Sequence, residues 1–389
     1  MTAPAALQGT LVLDFSTVGP AARCARILAD YGATVIKLGA PPRKSGVQIE
    51  PAVWAYSGSR WMKRVRLDLK APEGVAAFMK LAEKADVVIE SFRPGVVKRL
   101  GIGFDAVRAV NPRIVYCSTS GYGQEGPASQ WAGHDINYLA LGGYLHCSGR
   151  RADGGPPIPG ATVADSAAGG MHAAIAILAA LLRRSQTGEG EYLDVSVAEG
   201  VLSLMALTVD QHLATGADPG PGQDILTGRY ACYDSYVCAD GRWLSVGAIE
   251  PVFYRNLCKA LGCEQWQGHQ LDDAVQDEIR AAFAAAFRGR DRDTWVAELA
   301  PNDTCVAPVN SIPELVADAH FQARGAFCEA RHAEQGSFRQ VGPALAGMRP
   351  AEEPVPVRDA AETDTDELLL AAGIPAGEIE RMRNEGIVA

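Results

Sequence analysis

Short apolar runs alternate with amphipathic stretches through the first half of the chain. Leu11-Val12-Leu13-Asp14-Phe15 reads as a strand, Ala21 to Tyr31 as an amphipathic helix ended by Gly32, and Thr34-Val35-Ile36-Lys37-Leu38 as the next strand. The grammar then repeats. Val65 to Leu69 is strand-like, Pro72 to Ala85 is a helix opened by proline, Val87-Val88-Ile89 is a buried strand, and Arg113-Ile114-Val115-Tyr116-Cys117 is another. Strand, helix, strand in this order predicts an α/β fold with a mostly parallel, Rossmann-like sheet covered by helices on both faces. Ligands on such sheets bind at the carboxyl ends of the strands.

The texture changes after a Pro/Gly cluster, Asp218-Pro219-Gly220-Pro221-Gly222, which marks a linker over 216–226 between a large domain, 1–215, and a smaller one, 227–330. Tyr230 to Cys238, the polar turn Ala239-Asp240-Gly241-Arg242 and Trp243 to Val246 predict an antiparallel hairpin. Helical patterns near 252–262, 275–288 and 291–300 make the smaller domain α+β. Residues 331–389 form a return segment packing on the large domain, with an acidic, Pro-rich tether at 351–366 and a last amphipathic helix near 376–385. The length of 389 residues fits two domains.

A net charge of −10 argues against nucleic acid as the main partner, although the basic patches Arg43-Lys44 and Lys63-Arg64-Val65-Arg66 suit a phosphate. Nine cysteines, an odd number without a CxxC pair, predict reduced thiols in a cytoplasmic compartment. No charged leader precedes an apolar stretch, the C-terminus lacks a Ser-Lys-Leu address, and the apolar run 173–182 is too short to span a bilayer, so no membrane partner is expected. Gly121-Tyr122-Gly123-Gln124-Glu125-Gly126 matches GxGxxG, but Pro127 and no helical pattern follow it, which rejects dinucleotide binding. The scattered histidines give no metal cluster, and no GxSxG elbow is present. No metal or redox cofactor is expected.

Candidate chemistry centres on Gly133-His134-Asp135-Ile136-Asn137-Tyr138 and on Asp165. The acid precedes Ser166-Ala167-Ala168-Gly169-Gly170 and a buried helix over Ala173 to Leu182, stopped at Thr187-Gly188-Glu189-Gly190. Asp165 is thus expected at or near an N-cap, with Gly169 and Gly170 letting a ligand approach. A histidine and an acid from separate segments are two proton carriers, enough to move a proton across one carbon. The bland readings are a capping aspartate and a structural histidine.

Several longer strings occur together: Leu13-Asp14-Phe15 with Val18-Gly19-Pro20, Glu90-Ser91-Phe92-Arg93-Pro94-Gly95, Gly121 to Pro127, the Gly133 to Tyr138 block, Ala164-Asp165-Ser166, and Val246 to Tyr254. In this combination the chain resembles the class III CoA-transferase (carnitine dehydratase/bile-acid-inducible) family, and within it the α-methylacyl-CoA racemase branch. The resemblance implies an acyl-CoA thioester as ligand, with coenzyme A entering only as part of the substrate, and an interlocked homodimer. It implies bases at His134 and Asp165, an acid at Glu250 that steadies the histidine, an active-site arginine at Arg93, and Asp135 in the same block. The implied CoA contacts fall on Val18, Arg43, Lys44, Leu69, Lys70 and Arg93. A thioester acidifies its α-proton, and donors near the amides of Asp165 and Ser166 are expected to hold the enolate oxygen. The branch inverts a 2-methylacyl-CoA by two-base proton transfer.

Two alternatives stay open. Asp165 is a nucleophile in the family's transferases, forming an anhydride and then a thioester. A non-catalytic CoA-binding protein is the other. Thr227-Gly228-Arg229-Tyr230 departs from the racemase pattern, so that Arg229 either meets a second substrate carboxylate or makes an interdomain ion pair.

Overall fold

Six short β-rich segments, each bounded by polar or glycine-containing turns, pair side by side: β1 Leu11–Asp14, β2 Thr34–Gly39, β3 Lys63–Arg66, β4 Val87–Glu90, β5 Val115–Ser120 and β6 Glu191–Ser196. In the computed structural model, which describes residues 4–42, 52, 55, 59–348, 350–351, 354–359 and 361–389, they form one parallel sheet in the order β3-β2-β1-β4-β5-β6. The order reverses between β1 and β4, which opens a crevice beyond their carboxyl ends.

Alternation decides which face each side chain joins. Leu13, Ile36, Val88 and Tyr116 pack on one face with Phe78 and Leu81, and Ile379, Met382 and Ile387 from the C-terminus join them. Val12, Val35, Ile89 and Val115 pack on the other with Cys24, Leu28, Ala173 and Ile177. Central β4 is buried at all four positions, as a strand covered on both faces must be.

The connections are helical: α1 Gly19–Asp30, α2 Pro72–Ala82, α3 Val96–Arg99, α4 Phe104–Val110, α5 Asp135–Leu141, α6 Tyr144–Cys147, α7 His172–Thr187, α8 Val197–Leu204 and α9 Ala206–Thr215. A π-helical segment, Ala164–Met171, runs directly into α7. Together they make a continuous helix of 24 residues, long and apolar enough to cross a membrane by length and composition, in place of the shorter run 173–182. In this fold Ala173, Ala174, Ile177 and Ala180 face the sheet core.

The chain divides into two compact units: Met1–Gly142 with Pro159–Met205 and Ala319–Ala389, and Gly143–Ile158 with Ala206–Asp318. The second unit holds the antiparallel strands β7 Tyr233–Val237, β8 Trp243–Gly247 and β9 Val306–Pro308, and the helices α10 Pro251–Ala260, α11 Gln276–Phe287, α12 Arg292–Leu299 and α13 Ile312–Ala317. Its core gathers Tyr236, Leu244, Tyr254, Phe283, Phe287 and Trp295. The first unit ends with α14 Ala319–Ala323, the sheet β11-β10-β12 (β10 Phe327–His332, β11 Gly336–Val341, β12 Val355–Val357), α15 Thr365–Ala371 and α16 Ala376–Asn384. The stretch expected to be an extended tether thus contributes β12, paired parallel to β10.

Candidate active site

The loop after β5 carries the histidine block, and two of its glycines lie against the Tyr138 ring. A Cβ on Gly121 would lie 2.5 Å from Tyr138 Cε1, and one on Gly133 would lie 2.8 Å from the same atom. Only glycine leaves room for the ring. Tyr138 then donates from its hydroxyl to the Gly133 carbonyl at 2.7 Å and packs edge-on against Tyr122 at 5.2 Å. No helix follows Gly126 until α5, so Gly121 to Gly126 lacks the helix start a pyrophosphate needs. His134 is the exposed N-cap of α5, and its backbone N–H donates to Asn137 Oδ1 at 3.0 Å. Asp135, the first helical residue, turns its carboxylate to Asp165, whose N–H donates to Asp135 Oδ1 at 2.9 Å.

Asp165 sits in the first turn of the π-helical segment, two residues past its N-cap Val163 and so near a cap as expected. Single π turns inside longer helices recur at functional sites. The two glycines that follow serve a different approach from the one expected. A Cβ on Gly169 would fall 2.5 Å from Pro20 Cβ, and one on Gly170 would fall 2.8 Å from Arg23 Cβ. They admit α1, not a ligand. That close packing brings Arg23 Nη1 to 3.7 Å from Asp165 Oδ2, while Nη2 donates to Thr162 Oγ1 at 2.6 Å and Nη1 to the Gly19 carbonyl at 3.3 Å.

Burial raises the Asp165 carboxyl above the ordinary aspartate range; Arg23 opposes this, Asp135 adds to it and His134 opposes it. The phenol of Tyr138 is pushed up to about 12, first by burial and then by Tyr122, Asp165 and Asp135. His134, Asp135, Tyr138, Asp165 and Arg23 therefore share one electrostatic neighbourhood in the first unit. The amides expected to hold an enolate oxygen are already engaged: Asp165 N–H by Asp135, and Ser166 N–H by the Thr162 carbonyl at 3.0 Å.

Val18 is the N-cap of α1, 45% exposed, and Arg93 is exposed just after β4, so both stand at the crevice where the strand order reverses. Leu69 is half-buried against the sheet core and Lys70 is exposed. Arg43 and Lys44 lie outside the described residues. Glu250 belongs to the second unit, where it is the exposed N-cap of α10, and its charge helps to raise the Cys305 thiol after burial has done so. Arg229 pairs with Asp273 of its own unit through bonds of 2.9 and 2.7 Å.

Among the described residues no group of three or more His, Cys, Asp or Glu side chains could hold a metal ion. A separate pocket of about 440 Å³, lined by Lys98, Phe104, Tyr116, Ser118, Gln124 and Tyr192 among others, contains none of the expected site residues. Sequence reasoning missed Arg23 and Thr162.

The model of "CoA-transferase family III" matches residues 7–361. Alpha-methylacyl-CoA racemase of Homo sapiens is 34% identical over 385 residues, covering 98% of this chain and 97% of that protein. Succinyl-CoA–D-citramalate CoA-transferase of Chloroflexus aurantiacus is 29% identical over 350 residues, covering 86% of each. A CaiB/BaiF family protein from Brucella suis shares the fold, with a TM-score of 0.78 at 24% identity over 95% of this chain and 99% of that one. The chain belongs to CoA-transferase family III, whose members here include both racemases and CoA-transferases.

Proposed function

We propose that the protein is an acyl-CoA racemase that inverts the α-carbon of a 2-methylacyl-CoA. The observation that carries the reading is the joint placement of His134 and Asp165, an exposed imidazole and a partly buried carboxylate that feel each other's charge but come from different helices. One removes the α-proton from one face of the thioester enolate; the other returns a proton to the opposite face. Roles exchange in the reverse direction. The 34% identity to the human racemase across nearly the whole chain supports this branch.

Glu250 is read as the acid that orients His134 when the site is assembled, and Arg93 with Val18, Arg43, Lys44, Leu69 and Lys70 as the surface for the CoA moiety. The substrate carries the coenzyme, and no further cofactor takes part. An interlocked homodimer is part of the proposal. It is supported by exposed apolar side chains, 66% for Ile175 and 65% for Leu182 on α7, with Leu202 and Leu204 on α8 half exposed. Nine free cysteines favour a reducing, cytoplasmic setting.

The second reading rests on Asp165 as well. A carboxylate in this position also suits attack on the thioester, and the citramalate CoA-transferase is similar over most of the chain. Incubation with a 2-methylacyl-CoA in heavy water separates the two. The racemase incorporates deuterium at the α-carbon, equalises the epimers and transfers no CoA to an added carboxylic acid. CoA transfer without α-exchange overturns the proposal in favour of the transferase, and binding without either reaction leaves a CoA-binding protein.

A further inference from the structure

We propose that Arg23 is a positioning residue for Asp165: anchored through Thr162, its guanidinium fixes the orientation and the charge of the reacting carboxylate. This rests on the reading that Asp165 carries the reaction, as base or as nucleophile.

The geometry is set by backbone packing. Gly169 and Gly170 let α1 close on the π-helical segment, and Gly170 is opposed by the Cβ of Arg23 itself. The guanidinium is then held through Nη2 by Thr162 Oγ1, while Nη1 donates to the Gly19 carbonyl and faces Asp165 Oδ2 at 3.7 Å. Both side chains are mostly withdrawn from solvent, at 23% and 18% exposure, so the contact is poorly screened. Among the described residues the charged groups that act on Asp165 are few. Arg23 comes from α1, and Asp135 and His134 come from α5, with the neutral Tyr138 phenol on the same helix. Helix α8 meets the π-helical segment through Val197 and Gly200, which bring no charge.

Two carboxylates, Asp135 and Asp165, therefore share one partly buried neighbourhood, and α1 supplies a cation that offsets their repulsion. Without Arg23, His134 is the one cation among the described residues that does so. Asp165 acts as base or nucleophile only when ionised. Activity is present above its folded-state pKa and is lost as pH falls through it. Arg23 lowers that pKa, so removing Arg23 moves the loss to higher pH. In a two-base enzyme the acid limb is a macroscopic property of the His134–Asp165 pair, so it is read for both enantiomers.

The test measures kcat and KM against pH, together with α-proton exchange in heavy water, for Arg23→Met, Arg23→Lys and Thr162→Val beside wild type and Asp165→Asn. Arg23→Met is expected to displace the acid limb upward by about one pH unit, so that activity on that limb falls about tenfold, with KM for acyl-CoA little changed. Arg23→Lys restores the limb but not the full kcat, because the charge survives and the fork on Thr162 does not. Thr162→Val moves the limb the same way by less, and it carries the test if Arg23→Met does not fold by thermal melting. An unmoved limb with a raised KM overturns the proposal and makes Arg23 a substrate contact. Loss of activity in Asp165→Asn with an unmoved limb in the Arg23 and Thr162 variants defeats this inference alone. Full activity in Asp165→Asn defeats the reading beneath it.

Discussion

Arg23 and Asp165 meet at one contact of 3.7 Å with side chains 23% and 18% exposed, whereas Arg229 and Asp273 share bonds of 2.9 and 2.7 Å with side chains 44% and 59% exposed. By hydrogen-bond geometry the second pair is the better one. Its consequence is smaller. Asp273 stays below the ordinary aspartate range because Arg229 bonds to it in open solvent, while Asp165 is raised by burial in spite of Arg23. Surroundings, more than bond length, decide what an ion pair does: in solvent the charges are already stabilised, and in a half-buried site each added charge shifts the balance of protonation. The aspartate that has the poorer partner is the one whose carboxyl is raised.

The sharpest way to break this comparison is to neutralise both acids. Asp165→Asn should abolish racemisation while leaving slow α-proton exchange of the enantiomer whose proton faces His134, because one base survives. Asp273→Asn should leave turnover at the wild-type rate. Deuterium incorporation followed by mass spectrometry reads both. Equal losses in the two variants would remove the distinction, and a substrate-dependent hydroxamate on Asp165 after hydroxylamine would assign it to nucleophilic chemistry instead.

A third pair extends the scale toward full burial. Arg60 is 1% exposed and grips Asp30 with bonds of 3.1 and 2.9 Å, while its Nη1 donates to the Val341 carbonyl at 2.6 Å. Here the role is stability. Arg60→Met leaves a buried carboxylate short of a partner, which costs about 3–5 kcal/mol in general. Arg26 remains beside Asp30 at 2.9 Å, placing the expected loss at the lower end of that range. Urea unfolding measures it, and a midpoint equal to wild type would show that burial alone does not rank these pairs.

Much of the first unit was legible because burial writes itself into period and punctuation. The strand expected at 87–89 is β4, and the helix opened by Pro72 is α2. The strand at Val65 to Leu69 forms two residues earlier, at Lys63–Arg66, where pairing with β2 decides the register over the apolar pattern. β6 went unread because it is an edge strand with Tyr192 and Asp194 exposed, so that no apolar run marks it. The site was legible only as residue types. His134, Asp135 and Asp165 stand out in their strings, but a π-helical turn has no pattern of its own, and it engages the amides around Asp165. Arg23 was illegible for a related reason. On an amphipathic helix it reads as surface, and only the approach permitted by Gly169 and Gly170 turns it inward.

The smallest expected effect belongs to Arg229→Ala. The bidentate bond to Asp273 is accompanied by Nη1 donation to the Gln223 carbonyl at 3.3 Å and by stacking over Tyr230 at 5.4 Å, a set of contacts that looks important on geometry alone. Exposure argues otherwise. Water solvates both charges when they separate, and ordering two long side chains offsets much of the attraction. The urea midpoint should match wild type within error at both low and high salt, and racemisation of a 2-methylacyl-CoA should be unchanged. A dicarboxylyl-CoA tested alongside makes the result decisive, because a guanidinium that leaves Asp273 to meet a second substrate carboxylate would raise KM for that thioester only. Such a selective rise would take Arg229 out of the class of solvated pairs and favour the transferase reading over the racemase.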